Sequence, residues 1–194
     1  SNLQSEQVIL ALVDNTISFL KLYLGSLRKG VIPLLLPKNL SENHIQQFLR
    51  NYKPRYLYKP RELRINVSNY QLLAADSDFE IYENKNFHTF VHPMLKLLLT
   101  TSGSTGNPET IRISESNLTS NASSIIEYFQ MTSESRAITT LPPNYSYGLS
   151  IINSPLLCGG SIILTSESIN QREFWNLYSE FEPTQFGGVP LTYE

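Results

Sequence analysis

Leu95-Lys96-Leu97-Leu98-Leu99-Thr100-Thr101-Ser102-Gly103-Ser104-Thr105-Gly106-Asn107-Pro108 is the stretch whose reading decides the fold. Leu95 to Thr100 is an apolar run of strand length. It passes without a break into Thr100 to Gly106, where Ser and Thr are interrupted by Gly103 and closed by Gly106. Glycine has no Cβ, so the backbone can turn tightly there and approach a ligand. Successive backbone N–H groups in such a turn form a concave positive nest. Ser102, Ser104 and Thr105 add hydroxyl donors. The residues alone leave two readings open: an anion cradle and a polar hairpin turn. The Walker pattern is excluded, because no Lys follows Gly106, and the dinucleotide pattern is excluded for want of a third Gly.

Downstream of this loop the chain keeps alternating. Ile111 to Ile113 reads as a strand, and Ser116 to Phe129 as a helix with Leu118, Ile125, Ile126 and Phe129 on its apolar side. Arg136 to Leu141 is a strand that Pro142-Pro143 breaks. Gly148 to Leu157 is a helix closed by Gly159-Gly160. Ser161 to Leu164, Glu173 to Phe181 and Gln185 to Val189 follow as strand, helix and strand.

Upstream the pattern is similar. Val8 to Val13 is a buried-type strand, and Ile17, Leu20, Leu24 and Leu27 recur at helical spacing up to Lys29, where Gly30 stops the helix. Val31 to Leu36 is a second strand. Ser41 can cap a helix running through Ile45, Phe48 and Leu49 and ending before Pro54. Arg55 to Tyr58 is a third strand. Strand–helix–strand–helix–strand predicts parallel pairing with crossover helices. Pro60 to His92 is less regular, with short alternating pieces at Ile65 to Val67 and Phe79 to Tyr82. The expected organisation is therefore a first α/β segment over 1–60, an excursion with edge strands over 61–93, and a phosphate-loop α/β segment over 94–194. The fold class is α/β, in layers, with mostly parallel sheets.

Composition narrows the function. The chain has 194 residues, 41% of them hydrophobic and 16% charged, enough for a real core. A single Cys, Cys158, in an apolar context reads as a small buried residue, and it excludes a disulfide scaffold and a Cys-based zinc site. No metal site is expected. The apolar runs are too short to span a bilayer, and no leader precedes them, so a cytoplasmic protein is expected. The net charge is −2, which gives no nucleic-acid footprint. Ten basic residues against two acidic ones do cluster between Lys21 and Arg64. They read as the solvated side of two helices and their loops, with a basic docking face as the alternative. His44, His88 and His92 fit no motif and read as surface or capping residues.

Thr101-Ser102-Gly103-Ser104-Thr105-Gly106-Asn107-Pro108 resembles the phosphate loop of the adenylate-forming (AMP-binding) superfamily, which includes acyl-CoA synthetases and the adenylation domains of peptide synthetases. Ser26 to Pro33, Leu141 to Leu149 (Leu-Pro-Pro-Asn-Tyr-Ser-Tyr-Gly-Leu) and Gly187-Gly188-Val189-Pro190 resemble further segments of that family, in order and spacing. The resemblance runs from about Val8 to Pro190. It implies the N-terminal portion of the large domain of an AMP-forming acid–thiol ligase. Thr101, Ser102, Gly103, Ser104, Thr105 and Gly106 would bind the phosphates of ATP. Tyr145 and Tyr147 would line the acyl pocket, Tyr145 standing where many acyl-CoA synthetases have His. The implied partners are ATP with Mg²⁺, a carboxylic acid, and CoA or a carrier-protein phosphopantetheine as thiol acceptor.

Two positions depart from the family pattern. Asn107 stands where Lys is common, and Glu109 where a basic residue usually follows the Pro. At about 8 Å and an effective dielectric of 20 to 80, each such charge change is worth roughly 0.5–2 kcal/mol against a polyphosphate. An outward-facing Glu109, with Arg112 compensating, is the expectation. The sequence contains no Tyr-Gly-x-Thr-Glu segment, no Thr-Gly-Asp and no catalytic Lys domain of the family kind, so no catalytic residue is assigned. An inactive N-terminal fragment that self-associates through apolar surface is expected. The alternatives are an amino-acid adenylation unit of a peptide synthetase and a degenerate, non-catalytic nucleotide-binding or scaffold module.

Overall fold

The computed structural model describes residues 3, 6–86, 90–101 and 110–190. They fall into two compact units, Ser1–Val13 with Ser18–Ser114, and Asp14–Ile17 with Glu115–Glu194.

The first unit contains β1 (Val8–Val13), α1 (Ile17–Lys29), β2 (Ile32–Pro37), α2 (Glu42–Tyr52), β3 (Tyr56–Pro60), β4 (Gln71–Ala75), β5 (Phe79–Glu83), β6 (Leu95–Thr100) and β7 (Thr110–Ser114). The seven strands form one sheet in the order β4-β5-β3-β1-β2-β6-β7. Its centre is parallel: β1 pairs with β2 and β3, and β2 with β6. Its edges are antiparallel: β3 with β5, β5 with β4, and β6 with β7. All six residues of β1 are buried, which is why that strand is apolar without alternation. Val8, Leu10 and Leu12 pack with Leu34, Leu36 and Leu57, and α2 lays Ile45, Phe48 and Leu49 on the same cluster.

Local chemistry sets the helix ends. Gly30 ends α1 at φ +68, and Lys53 ends α2 at φ +41 just before Pro54. Ser41 does occupy the position before α2, but its hydroxyl pairs with Nδ1 of His44 at 2.9 Å and makes no bond to the helix backbone. The expected side-chain cap is therefore absent.

The excursion differs from expectation in one strand. Residues 65–67 are not a strand: the Asn66 side chain accepts the Ser68 N–H at 3.1 Å, and Tyr70 N–H bonds Val67 C=O at 2.8 Å, both turn contacts. The edge strand is β4, which is mostly exposed and so shows little hydrophobic alternation. The basic cluster also differs. Arg55 and Lys59 sit inside the sheet, paired with Glu83 at 2.9 Å and Glu80 at 2.7 Å.

The second unit contains α3 (Glu115–Phe129), β8 (Arg136–Ile138), α4 (Ser146–Leu157), β9 (Ser161–Ile163), α5 (Arg172–Phe181) and β10 (Gln185–Phe186). Its three strands are all parallel, in the order β10-β8-β9. Ile138, Ile163 and Phe174 form its core, with Ile169, Tyr178 and Phe186 against them. β8 is shorter than expected: past Ile138 the Thr139 N–H still bonds Ile163 C=O at 3.0 Å, but the Thr139 side chain takes over the next contacts, its hydroxyl donating to Thr165 C=O at 2.9 Å and accepting Thr165 N–H at 2.8 Å. The apolar side of α3 is not covered as its pattern predicts. Only Ala122 is buried there, and Phe129 is 63% exposed. Cys158 is half-buried, its Sγ 3.3 Å from the carbonyls of Thr132 and Pro155. Among the described residues no helix is long and apolar enough to cross a membrane.

Candidate functional site

The segment with the Thr101 to Gly106 motif lies in the sequence between β6 and β7. β6 is parallel to β2, with Leu34 opposite Leu98 and Leu35 opposite Leu99. The chain thus leaves the sheet at the carboxyl edge of its parallel strands. It re-enters at Thr110, directly opposite Thr100. That edge is where open α/β sheets place ligands. The order of strands reverses at β1, between β2 and β3, two strands from β6. Thr101 is exposed. Ser102, Gly103, Ser104, Thr105 and Gly106 lie outside the described residues, as do Asn107 and Glu109. The base of the hairpin is tied down: the hydroxyl of Tyr52, at the end of α2, is 2.7 Å from the hydroxyl of Thr110. Arg112 is exposed on β7.

Electrostatics beside the sheet come from β3 and the β4–β5 hairpin. Lys59 and the Tyr82 hydroxyl both donate to Glu80, and these bonds hold its carboxyl below the usual carboxylate range against a smaller opposing effect of burial. Burial raises Asp76, but the N–H groups of Asp78 and Phe79, the Ser18 hydroxyl and the Lys21 charge outweigh it, so Asp76 also ends below its ordinary value. Burial pushes the Tyr58 phenol strongly up, with Asp76 and Asp78 adding to it, so it stays protonated. These groups brace the sheet and take no part in the candidate site.

In the second unit, β8 ends at Ile138, before the Pro142-Pro143 expected to break it, and α4 starts three residues after Pro143, at Ser146. Tyr145 stands at its N-cap position with extended backbone, and its carbonyl accepts Leu149 N–H at 2.9 Å. Gly148 sits so close to the turn that a Cβ there would lie 2.2 Å from Pro142 O. That contact explains the Gly of the Leu-Pro-Pro-Asn-Tyr-Ser-Tyr-Gly segment.

A cavity of about 360 Å³ opens beside this helix. Tyr147, Ser150, Ile151, Ser154 and Pro155 of α4 form one wall. Ile125, Phe129 and Met131, from α3 and the turn after it, form another. Ala137 of β8 and residues 184–187 close the remaining side. None of these lining residues is charged. Gly187 is wedged against the wall: a Cβ on it would lie 2.9 Å from Ile151 Cδ1 and 3.3 Å from the Tyr147 hydroxyl. The Thr140 hydroxyl donates to Gly187 C=O and fixes that segment. Two polar atoms near the cavity, Ser154 Oγ and Gln185 Oε1, are buried without a hydrogen-bond partner.

The two acyl-pocket candidates are thus placed differently. Tyr147 lines the cavity, while Tyr145 is a half-exposed cap outside its lining. Ile125, Ile151, Ser154 and Gln185 had no sequence signal beyond helical or strand periodicity. Among the described residues no group of three or more His, Cys, Asp or Glu could hold a metal ion.

Comparison with known proteins places this geometry. The family model described as AMP-binding enzyme matches residues 1–194. Malformin synthetase mlfA of Aspergillus tubingensis is 37% identical over 90 residues, which is 46% of this chain and 2% of that protein. A D-alanine--D-alanyl carrier protein ligase of Listeria innocua is 25% identical over 175 residues, 84% of this chain and 34% of the ligase. Among solved structures, the O-succinylbenzoate coenzyme A synthetase MenE of Bacillus subtilis, in complex with ATP and magnesium ion, superposes with a TM-score of 0.75 at 19% identity. That match covers 98% of this chain and 52% of MenE. The chain therefore spans about half or less of the length of these relatives. A whole-chain family match, on a mixed α/β fold with a parallel sheet centre, shows that this chain belongs to the AMP-binding, adenylate-forming enzyme family.

Proposed function

We propose that this chain carries the phosphate-holding and acyl-holding part of an AMP-forming acid–thiol ligase. The observation that carries the reading is the pairing of Thr100 with Thr110 at the carboxyl end of β6, which fixes where the chain leaves and rejoins the sheet on either side of the Thr101 to Gly106 motif. The reaction is attack of a carboxylate on the α-phosphate of Mg-ATP, giving an acyl-adenylate and pyrophosphate, followed by transfer of the acyl group to a thiol. Backbone N–H groups and the hydroxyls of Thr101, Ser102, Ser104 and Thr105 would hold the β- and γ-phosphates and keep the leaving pyrophosphate in line. The donor set fits that anion: from Thr100 to Pro108 it contains no carboxylate. Mg²⁺ would come with the ATP phosphates as Mg-ATP. Tyr147 and the cavity beside α4 would hold the acid, with Tyr145 at the helix start. The acceptor would be CoA or a carrier-protein phosphopantetheine, and the place of work the cytoplasm.

A second reading, an amino-acid adenylation unit serving a carrier protein, is favoured by the two sequence relatives named above. The 194 residues alone are expected to form no adenylate, because the adenine-, ribose- and Lys-bearing motifs of the family are not among them. The direct test is titration of Mg-ATP into the chain. Thr105→Ala should weaken binding about tenfold, the worth of one hydrogen bond to a charged group. Unchanged affinity would remove the loop from the site.

A further inference from the structure

Basic residues outnumber acidic ones in the first unit, 13 against 8, and one of them borders a small cavity with no partner of its own. We infer that this unit carries a further anion site, for a single tetrahedral oxyanion such as a phosphate monoester, inorganic phosphate or sulfate, between α2 and the turn at residues 66–70. The site shares no residue with the Thr101 to Gly106 motif or with the cavity beside α4, so it stands independently of the ligase reading.

Helix α2 grips that turn along one ridge. Glu42, Gln46 and Arg50 follow one another at intervals of four and so share a helix face. Glu42 Oε1 accepts Asn66 N–H at 3.1 Å, and Gln46 Nε2 donates to Asn66 C=O at 2.8 Å. Arg50, the third rung, makes no hydrogen bond or ion pair among the described residues. It borders a cavity of about 140 Å³ instead. Arg55 and Lys59 differ from it in having their charges met by Glu83 and Glu80.

The turn supplies neutral donors to the same cavity. It is held by Asn66 Oδ1, which accepts Ser68 N–H, and by Val67 C=O, which accepts Tyr70 N–H. The N–H groups of Val67 and Asn69, the Ser68 hydroxyl and the Asn69 amide are left without partners among the described residues. All belong to residues that line the cavity, and no lining residue is acidic. Glu42, the carboxylate at the turn, is engaged by Asn66 N–H. The Tyr70 hydroxyl is engaged as well, donating to Pro54 C=O at 2.6 Å. A planar carboxylate would fill the guanidinium fork and little else, whereas a tetrahedral anion also presents oxygens to the hydroxyl, amide and backbone donors. The positive excess of the unit adds a favourable field.

The test is an amide NMR titration of the ¹⁵N-labelled 194-residue chain, in chloride buffer, with inorganic phosphate, methyl phosphate, sulfate and acetate. Phosphate and sulfate should give saturable shifts at residues 66–70, with acetate about fivefold weaker or worse. Arg50→Gln should weaken phosphate binding there about tenfold, as expected for loss of charge-assisted hydrogen bonds, and Arg50→Lys should fall between. Arg50 is exposed, so both variants should keep the wild-type spectrum elsewhere. Methyl phosphate bound as well as phosphate names an ester as the ligand, and methyl phosphate bound much more weakly names the free ion. Either result supports the site. Shifts that do not saturate, acetate bound as tightly as phosphate, or indifference to Arg50→Gln would overturn it. Thr105→Ala separates the two readings: shifts at residues 66–70 that survive it keep this site whatever happens at residues 101–109, and shifts that vanish with it overturn a separate site.

Discussion

The hydroxyl oxygens of Tyr52 and Thr110 lie 2.7 Å apart, joining the last residue of α2 to the first residue of β7. This contact braces the start of β7, where the chain rejoins the sheet after the proposed phosphate-holding segment. Tyr52→Phe removes one hydrogen bond and keeps the ring stacked on Phe48 at 5.8 Å. Denaturant unfolding should show a loss of about 0.5–1.5 kcal/mol. Mg-ATP affinity should fall several-fold as the loop base loosens, and an affinity equal to wild type would show that the brace serves folding only.

Lys59 and Glu80 give the fold a pH-dependent element. Lys59 is buried, and its ammonium reaches Glu80 Oε2 at 2.7 Å and Leu63 C=O at 3.1 Å. Glu80→Gln leaves that buried charge without its counter-ion, a change worth about 3–5 kcal/mol in comparable pairs. The sign of the pH effect follows from the lowered carboxyl pKa. Below the unfolded-state value of about 4.3 the unfolded chain binds the proton more readily than the folded one, so stability falls as pH drops through the folded value. Thermal melts from pH 7 to pH 3 should show this loss in wild type and a shallower one in Glu80→Gln. Parallel curves would assign the acid limb to other carboxylates.

Gly148→Ala should be among the most damaging small substitutions in the second unit. Its Cβ would sit 2.2 Å from Pro142 O and 2.8 Å from Leu141 O, both backbone atoms that cannot swing away. The expected cost exceeds the roughly 1–3 kcal/mol of ordinary overpacking. Circular dichroism melts check it, and a variant as stable as wild type would show that α4 can shift off the turn.

Glu109→Lys changes two unit charges near the proposed polyphosphate. Tighter Mg-ATP binding is expected, several-fold at low salt and shrinking as salt is added, because screening acts on exposed charges. Affinity that does not move would place the Glu109 side chain away from the phosphates.

Much of the fold was legible because its central strands advertise themselves. β1 and β2 are continuous apolar runs, and only a strand buried on both faces needs that pattern. Gly30 and Pro54 marked two helix ends by backbone chemistry alone. β4 was not legible, since an exposed edge strand has no buried face to alternate. The apolar stripe of α3 signalled a covered face, yet Ile125 and Phe129 border the cavity instead. For the site, Tyr147 and the Gly187 segment could be named from motif resemblance. The closeness of Gly187 to Ile151 could not, because it joins residues far apart in sequence, the segment after β10 and α4.

The proposed function rests on the segment between β6 and β7. The most direct measurement is an amide NMR titration of the ¹⁵N-labelled chain with pyrophosphate. Shifts concentrated at residues 101–109, saturating and weakened by Thr105→Ala, are the predicted result. Saturable shifts that cluster elsewhere, or no shifts in residues 101–109, would contradict a phosphate-holding role for this loop.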